Sequence, residues 1–246
     1  MNSMKNINFN IVTEFENKIA EFYGAPYAIA LDSCTHGVEL CLRYTKAKSI
    51  TVPKHTYLSI PFLADKLGIK LNWKDENWVD YYYLTDNVID AAVLWKKDSY
   101  IPKTFMNISF QYQKHLALGR GGVILTDNQE AAIRLKKMSY DGRIPNIPWR
   151  EQNIDTIGYH YYMTPETAQL GLDKLDTAIQ TKPRQWVVND WPDLTQMDVF
   201  KNTYHNNVYI YESTNNPNII RRRKLGDYDN YEYCTIDLID PYLQTR

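Results

Sequence analysis

The chain has 246 residues, 44% hydrophobic and 23% charged, with a formal net charge of −1. At about 100–200 residues per domain, that is a globular protein of one large domain or one domain with a small appendage. The balanced charge gives no footing for nucleic acid or an anionic membrane, and no apolar run reaches the roughly 18 residues of a membrane-spanning helix.

The start, Met1-Asn2-Ser3-Met4-Lys5-Asn6, lacks the apolar core of a secretory signal. Cys34, Cys41 and Cys234 offer neither a paired framework nor metal-ligand spacing. Reduced thiols and a cytoplasmic location are therefore expected, with no metal. Thr13 to Tyr23 reads as an amphipathic helix with Phe15, Ile19 and Phe22 on one face. Thr13 with Glu16 is read as its capping box and Gly24 as its stop. Tyr27 to Leu31 is a short apolar strand. Thr35 to Tyr44 is a helix with Val38, Cys41 and Leu42 inward. Ser49 to Val52 is a strand stopped by Pro53. Leu58 to Leu67 is a helix that tolerates Pro61 in its first turn and ends at Gly68. Ile69 to Trp73, Tyr81 to Leu84, Val88 to Ala92, Phe105 to Phe110 and Gly122 to Thr126 read as strands. Gln129 to Ser139 is a helix with Ala132, Leu135 and Met138 inward, and Thr164-Pro165-Glu166 opens a long helix to Ile179.

Strands alternating with helices predict an α/β fold whose mixed, mostly parallel sheet is covered on both faces. After Lys182 the periodicity weakens, so residues 1–181 are expected to form a large domain and 182–246 a reduced C-terminal segment. In that segment Arg221-Arg222-Arg223-Lys224 reads as a solvated face or a contact to phosphate, and Tyr231 to Ile236 as a late strand.

Three features carry chemistry. Leu31-Asp32-Ser33-Cys34-Thr35 turns a strand into a helix. The first N–H groups of a helix lack internal partners and favour phosphate, with Ser33 and Thr35 adding hydroxyls; the same residues also suit a plain helix cap. Asp90 ends an apolar strand, where a carboxylate needs a cation or donors if it is buried, and otherwise caps the next element or faces water. Lys114 lies between two strands, five residues after Ser109 and shortly before Gly121-Gly122. As a surface residue it would mean little. With its amine deprotonated by burial or nearby positive charge, it can condense with an aldehyde. Tyr57 offers a flat ring for stacking or ordinary packing. An amine that traps carbonyls, a buried carboxylate and a phosphate-sized turn together point to pyridoxal 5'-phosphate. No Gly-x-Gly-x-x-Gly follows the first strand, which argues against a dinucleotide fold.

In this order the residues resemble the DegT/StrS-type sugar aminotransferases, which are fold-type I pyridoxal phosphate enzymes. The resemblance runs over roughly residues 12 to 180. It is carried by Phe15-Glu16 through Gly24, Tyr27-Ala28-Ile29-Ala30, Ser33-Cys34-Thr35, Val52-Pro53 with Thr56-Tyr57, and Asp90-Ala91-Ala92. It continues through Ser109-Phe110 with Lys114, Gly121-Gly122-Val123, Thr126-Asp127-Asn128, and Gly158-Tyr159-His160-Tyr161 with Met163-Thr164. It implies an α/β three-layer sandwich and a homodimer with shared active sites. It also implies transfer of an amino group, from glutamate, to a nucleotide-linked keto sugar in polysaccharide biosynthesis. By resemblance Lys114 holds the cofactor and shuttles protons, and Asp90 pairs with the pyridine nitrogen. Ser33, Cys34, Thr35 and Ser109 hold the phosphate, Tyr57 covers the ring, and His160 approaches the partner's phosphate.

The chain departs from the family pattern in places. Cys34 stands where glycine or alanine is usual, Val93 where Gln or His is usual, and His160 where Asn is common. The stretch between Asp90 and Lys114 is short, and the family's C-terminal domain is not recognisable after Lys182. Two other readings stay open. One is a non-catalytic protein of the same fold, acting as regulator or partner subunit. The other is a sugar dehydratase, against which Lys114 argues, because the dehydrating relatives carry histidine there.

Overall fold

A computed structural model of the chain describes residues 9–201, 209–216, 218–224 and 231–235. Helix α1 spans Asn10–Tyr23, followed by β1 (Tyr27–Leu31), α2 (Cys34–Tyr44), β2 (Ser49–Pro53), α3 (Ser59–Leu67) and β3 (Lys70–Lys74). Next come β4 (Tyr82–Tyr83), β5 (Val88–Asp90), β6 (Phe105–Ser109), β7 (Gly122–Thr126), α4 (Gln129–Ser139) and α5 (Pro165–Gln180). A short α6 (Asp198–Lys201) precedes β8 (Tyr209–Ser213), β9 (Ile219–Lys224) and β10 (Glu232–Thr235). The elements expected from periodicity are present within a residue or two, with three differences. The first helix starts at Asn10 rather than Thr13, β4 is only two residues long, and the last strand begins at Glu232. Ile236, expected to close that strand, lies outside the described residues.

The main sheet has the order β1-β7-β6-β5-β4. β5 and β6 are parallel, while β1–β7, β6–β7 and β4–β5 are antiparallel, so the sheet is mixed. β2 and β3 form a parallel pair, tied to the end of β4 by the Thr51 N–H on Leu84 O at 2.9 Å. Helices cover both faces. Phe15, Ile19 and Tyr23 of α1 and Ala168 and Leu175 of α5 pack with Ile89, Met106 and Val123 on one side. Val38, Cys41 and Leu42 of α2 and Leu135 and Met138 of α4 pack with Ile29, Val88 and Ile124 on the other. Gly171 lets α5 approach Phe15, where an added Cβ would sit 2.4 Å from the ring.

Glu16 does not form the expected capping box. Thr13 lies inside α1, and the Glu16 carboxylate is buried, accepting from Ala30 N at 2.7 Å and pairing with Lys136. Among the described residues no strand pairs with the outer edge of β1, which meets only a bridge from Tyr162 to Leu31 there, and a buried N–H must find an acceptor. The glutamate supplies one and ties α1, β1 and α4 together.

Register matters for function. Tyr82, Asp90, Asn107, Ile124 and Ile29 are successive partners across β4, β5, β6, β7 and β1. Residues in such a row share a face. Helix α2 lies on that face through Gly37, where a Cβ would fall 2.7 Å from Asn107 Oδ1 and 3.2 Å from Ile124. β8, β9 and β10 form a separate antiparallel sheet in which Arg221 pairs with Glu212 and lies 4.6 Å over the Tyr231 ring. Of the basic run, only the Arg221 side chain lies within the described residues. Cys34 and Cys41 are buried free thiols. Among the described residues no helix is long and apolar enough to cross a membrane.

Candidate active site around Lys114

Ser33 is extended (φ −162°, ψ 152°) and caps α2, its hydroxyl accepting from His36 N at 3.2 Å. Cys34 is the first helical residue, and its backbone runs against β7. A Cβ on Gly122 would lie 2.4 Å from Cys34 N and 2.7 Å from its Cα. The obstructing atoms are backbone, so no side chain can yield. Gly122→Ala is therefore expected to lower stability by about 2–3 kcal/mol, toward the upper end of overpacking penalties. A shift in the denaturant midpoint at unchanged slope checks this; an unshifted midpoint would mean that the helix start is not fixed by β7. Around the same turn the Thr35 and Ser59 hydroxyls meet at 2.7 Å. Asp32 gathers His36 Nδ1 at 2.6 Å and Arg120 at 2.8 Å, with the His36 ring stacked 3.6 Å from Tyr161. This is a helix N-terminus flanked by hydroxyls and basic groups, suited to an anion.

Asp90 is 4% exposed. Its register partner Tyr82 donates to Oδ2 at 2.5 Å, and Ala92 N–H donates to Oδ1 at 3.0 Å. Tyr82 also meets Thr56 Oγ1 at 2.6 Å, so a chain of hydroxyls runs from the end of β2 to the carboxylate. Burial raises the carboxyl's pKa, while Tyr82, Ala92 N–H and Lys114 pull it down. No Lys, Arg or His among the described residues closes an ion pair on it. A half-satisfied buried carboxylate has acceptor capacity left for a cationic donor.

Lys114 sits in the β6–β7 connection, a loop closed on itself. Phe110 N bonds Gly121 O, Leu118 N bonds Phe110 O, Tyr112 N bonds Gly119 O, and Lys114 N bonds Gln111 O, all at 2.8–3.1 Å. Gly119 (φ 82°) and Gly121 (φ 141°) take the left-handed backbone this closure needs. The loop is also anchored to α5, with Lys174 donating to Ala117 O and His115 meeting Ala178 O, both at 2.8 Å. The Lys114 amine is largely buried, and burial lowers its pKa; Asp90 opposes that and Arg184 adds to it. The Cys34 thiol, pushed up by burial, stays neutral and contributes no charge. A less protonated amine is what a carbonyl-trapping nucleophile needs.

Ser33, Cys34, Asp90, Ser109 and Lys114 thus converge at one end of the sheet under the start of α2. Ser109 is buried at the end of β6, opposite Gly122, its hydroxyl accepting from Gln111 N at 3.3 Å. Tyr57 is 57% exposed before α3. His160 bonds Asp141 at 3.0 Å and lies edge-on to Tyr162. Reading the sequence missed Tyr82 and Thr56, which serve Asp90, and Trp186, whose ring centre lies 4.5 Å from the Lys114 Nζ. Tyr82 was hidden in a run of three tyrosines, and only strand register singles it out. Trp186 carried no signal, because the segment after Lys182 has no periodicity.

These residues fit pyridoxal phosphate. An anion cradle, a buried carboxylate with no ion pair among the described residues, and a half-buried amine lie together, with the amine close enough to feel the carboxylate's charge.

The sequence and the fold have known relatives. An uncharacterized protein of Methanocaldococcus jannaschii is 26% identical over 228 residues, covering 70% of this chain and 58% of that protein. AtS13 from Actinomadura melliaura superposes with a TM-score of 0.62 at 19% identity, covering 70% of this chain and 61% of that one. GDP-4-keto-6-deoxymannose-3-dehydratase (ColD) with bound GDP-perosamine superposes with a TM-score of 0.55 at 16% identity, covering 70% and 61%. The chain thus spans about three fifths of the length of these relatives. The sequence model described as the DegT/DnrJ/EryC1/StrS aminotransferase family matches residues 1–93 and 103–188, omitting a piece of the short stretch between Asp90 and Lys114. With most of its residues matched in order, and with that fold, the chain belongs to the DegT/DnrJ/EryC1/StrS aminotransferase family.

Proposed function

We propose that the chain is a pyridoxal-phosphate-dependent aminotransferase that moves an amino group from glutamate to a nucleotide-linked keto sugar. The observation that carries the reading is the half-buried amine of Lys114, close enough to the buried carboxylate of Asp90 to feel its charge, beside the N-terminus of α2. On this reading residues 1–181 form the cofactor-binding domain and 182–246 a C-terminal segment, of which Trp191 and Leu194 pack on that domain.

Pyridoxal phosphate, when bound, supplies an aldehyde carbon that captures amines and a ring that accepts the electron pair released at the donor's α-carbon. The protein does the rest. Ser33, Cys34, Thr35 and Ser109 hold the phosphate. Lys114 Nζ would hold the aldehyde carbon and, once free, would carry a proton away from the donor α-carbon. Asp90 keeps the ring nitrogen protonated. Tyr57 covers the ring face, and His160 reaches the phosphate of a second copy in a homodimer. The dehydratase alternative loses support because His115, the one neighbouring histidine, is held on Ala178 O and beside Trp95 at 5.5 Å.

Mixing the protein with pyridoxal phosphate should give an absorbance band that borohydride fixes on Lys114. Labelling should persist at pH 8, where a lysine with the ordinary pKa of about 10.4 is almost fully protonated. The sign follows from burial. Lowering the amine's pKa extends its neutral form to lower pH, so labelling fades only as pH falls through the depressed value. A label spread over exposed lysines, or one needing pH above about 10, would count against the reading.

A further inference from the structure

Beyond α5 the chain does not leave the site. Trp186 lies against Lys114, and the Arg184 guanidinium sits 4.1 Å from the centre of the same indole. The two cations are therefore no further apart than these two contacts laid end to end. Arg184 is ion-paired to Asp190, whose other oxygen accepts from Val187 N at 2.9 Å. Trp186 stacks 5.3 Å from Trp191, which packs 4.9 Å from Trp78. The Trp191 carbonyl meets His55 Nδ1 at 2.9 Å, and buried Leu194 donates to Lys54 O at 2.9 Å. The segment is pinned at both ends, so Arg184 has a defined place.

That place has a chemical meaning if Lys114 works as proposed above, a reading on which this inference rests. An amino-acid donor puts its nitrogen where the Lys114 nitrogen was, and its carboxylate is two bonds away. Asp90 already supplies one negative charge there, and a second anion in a half-buried site needs a cation. Among the described residues Arg184 is the one cation whose charge reaches Lys114. A guanidinium grips a carboxylate through two parallel N–H bonds; Asp190 holds one arm of the fork, and among the described residues no other carboxylate pairs with it. We propose that Arg184 receives the α-carboxylate of the amino donor, with Asp190 as its positioning residue and Trp186 as the spacer from Lys114.

The test uses the full chain loaded with pyridoxal phosphate and the variants Arg184→Met and Arg184→Lys. The methionine variant should raise KM for L-glutamate about 30- to 100-fold, the size of a lost charge-assisted pair, while kcat changes less than about threefold. Calorimetry with glutarate, an unreactive dicarboxylate, should show a comparable loss of affinity, and the lysine variant should recover part of both. Borohydride labelling should stay on Lys114 in both variants, shifted to somewhat higher pH in the methionine variant, where one of the groups that lower the amine's pKa is gone. KM and glutarate affinity within about threefold of the parent would overturn the assignment, as would a fall in kcat matching the rise in KM. If the parent protein itself takes no label at Lys114, the cofactor reading fails first and this inference falls with it.

Discussion

Lys114→Ala is expected to abolish covalent capture of pyridoxal phosphate and to slow the half-reaction with glutamate by at least about 10³-fold. The figure follows from the roles combined in one nitrogen. Proton transfer by a positioned side chain contributes about 10²–10⁴-fold by itself, and the amine also holds the aldehyde carbon. Residues acting as a unit are not additive, so one substitution removes most of the effect. The fold should survive. Lys114 is only partly buried, and its loop is closed by backbone bonds and by Lys174 and His115 rather than by its own side chain. Mass spectrometry after borohydride reduction reads the first outcome, and absorbance under excess glutamate reads the second. Lys174→Ala is the control, since that amine is spent on Ala117 O; it should leave the label in place. An equal label in both variants would remove Lys114 from the mechanism.

Asp90→Asn is expected to leave the attachment to Lys114 intact and to slow the half-reaction by about 10²–10³-fold, the usual cost of losing one fixed electrostatic partner. An amide cannot keep a proton on the ring nitrogen. It also cannot accept with both its atoms, so either Tyr82 O–H or Ala92 N–H loses its acceptor. An unsatisfied buried donor costs about 1–3 kcal/mol, so a lower melting temperature should accompany the kinetic loss. Tyr82→Phe separates the two effects. It removes one of the groups that pull the carboxyl's pKa down, and the carboxyl should then titrate at higher pH. Activity would fall on the acid side of the profile first, as the protonated carboxyl stops pairing with a cation. Unchanged pH profiles in both variants would mean that the carboxylate is structural.

Much of the large domain could be read from residues alone, because its signals are local. Gly24 and Gly68 end helices in the left-handed conformation, and Thr164-Pro165 starts one. The motif order placed Ser33, Asp90, Ser109 and Lys114, which the fold does bring together. What could not be read depends on partners distant in the chain. Glu16 fits a capping box by spacing, yet its acceptor role is decided by the unpaired edge of β1. Tyr82 looks like its neighbours until strand register sets it opposite Asp90. Direction within the sheet was also beyond reach, since alternation of strands and helices does not reveal that β7 enters antiparallel between β1 and β6. Arg184 and Trp186 belong to a stretch without periodicity, positioned by tertiary contacts alone.

The docking of Trp191 and Leu194 on His55 and Lys54 joins points 136 and more residues apart in sequence. A ribosome delivers Lys114 well before it delivers the tryptophan that covers it. Newly made chains therefore pass through a stage in which the amine is bare to any small aldehyde in the surrounding fluid. Closure of so wide a loop is also slow relative to local helix formation. The cover over Lys114 is thereby complete only after a contact distant in the chain has closed.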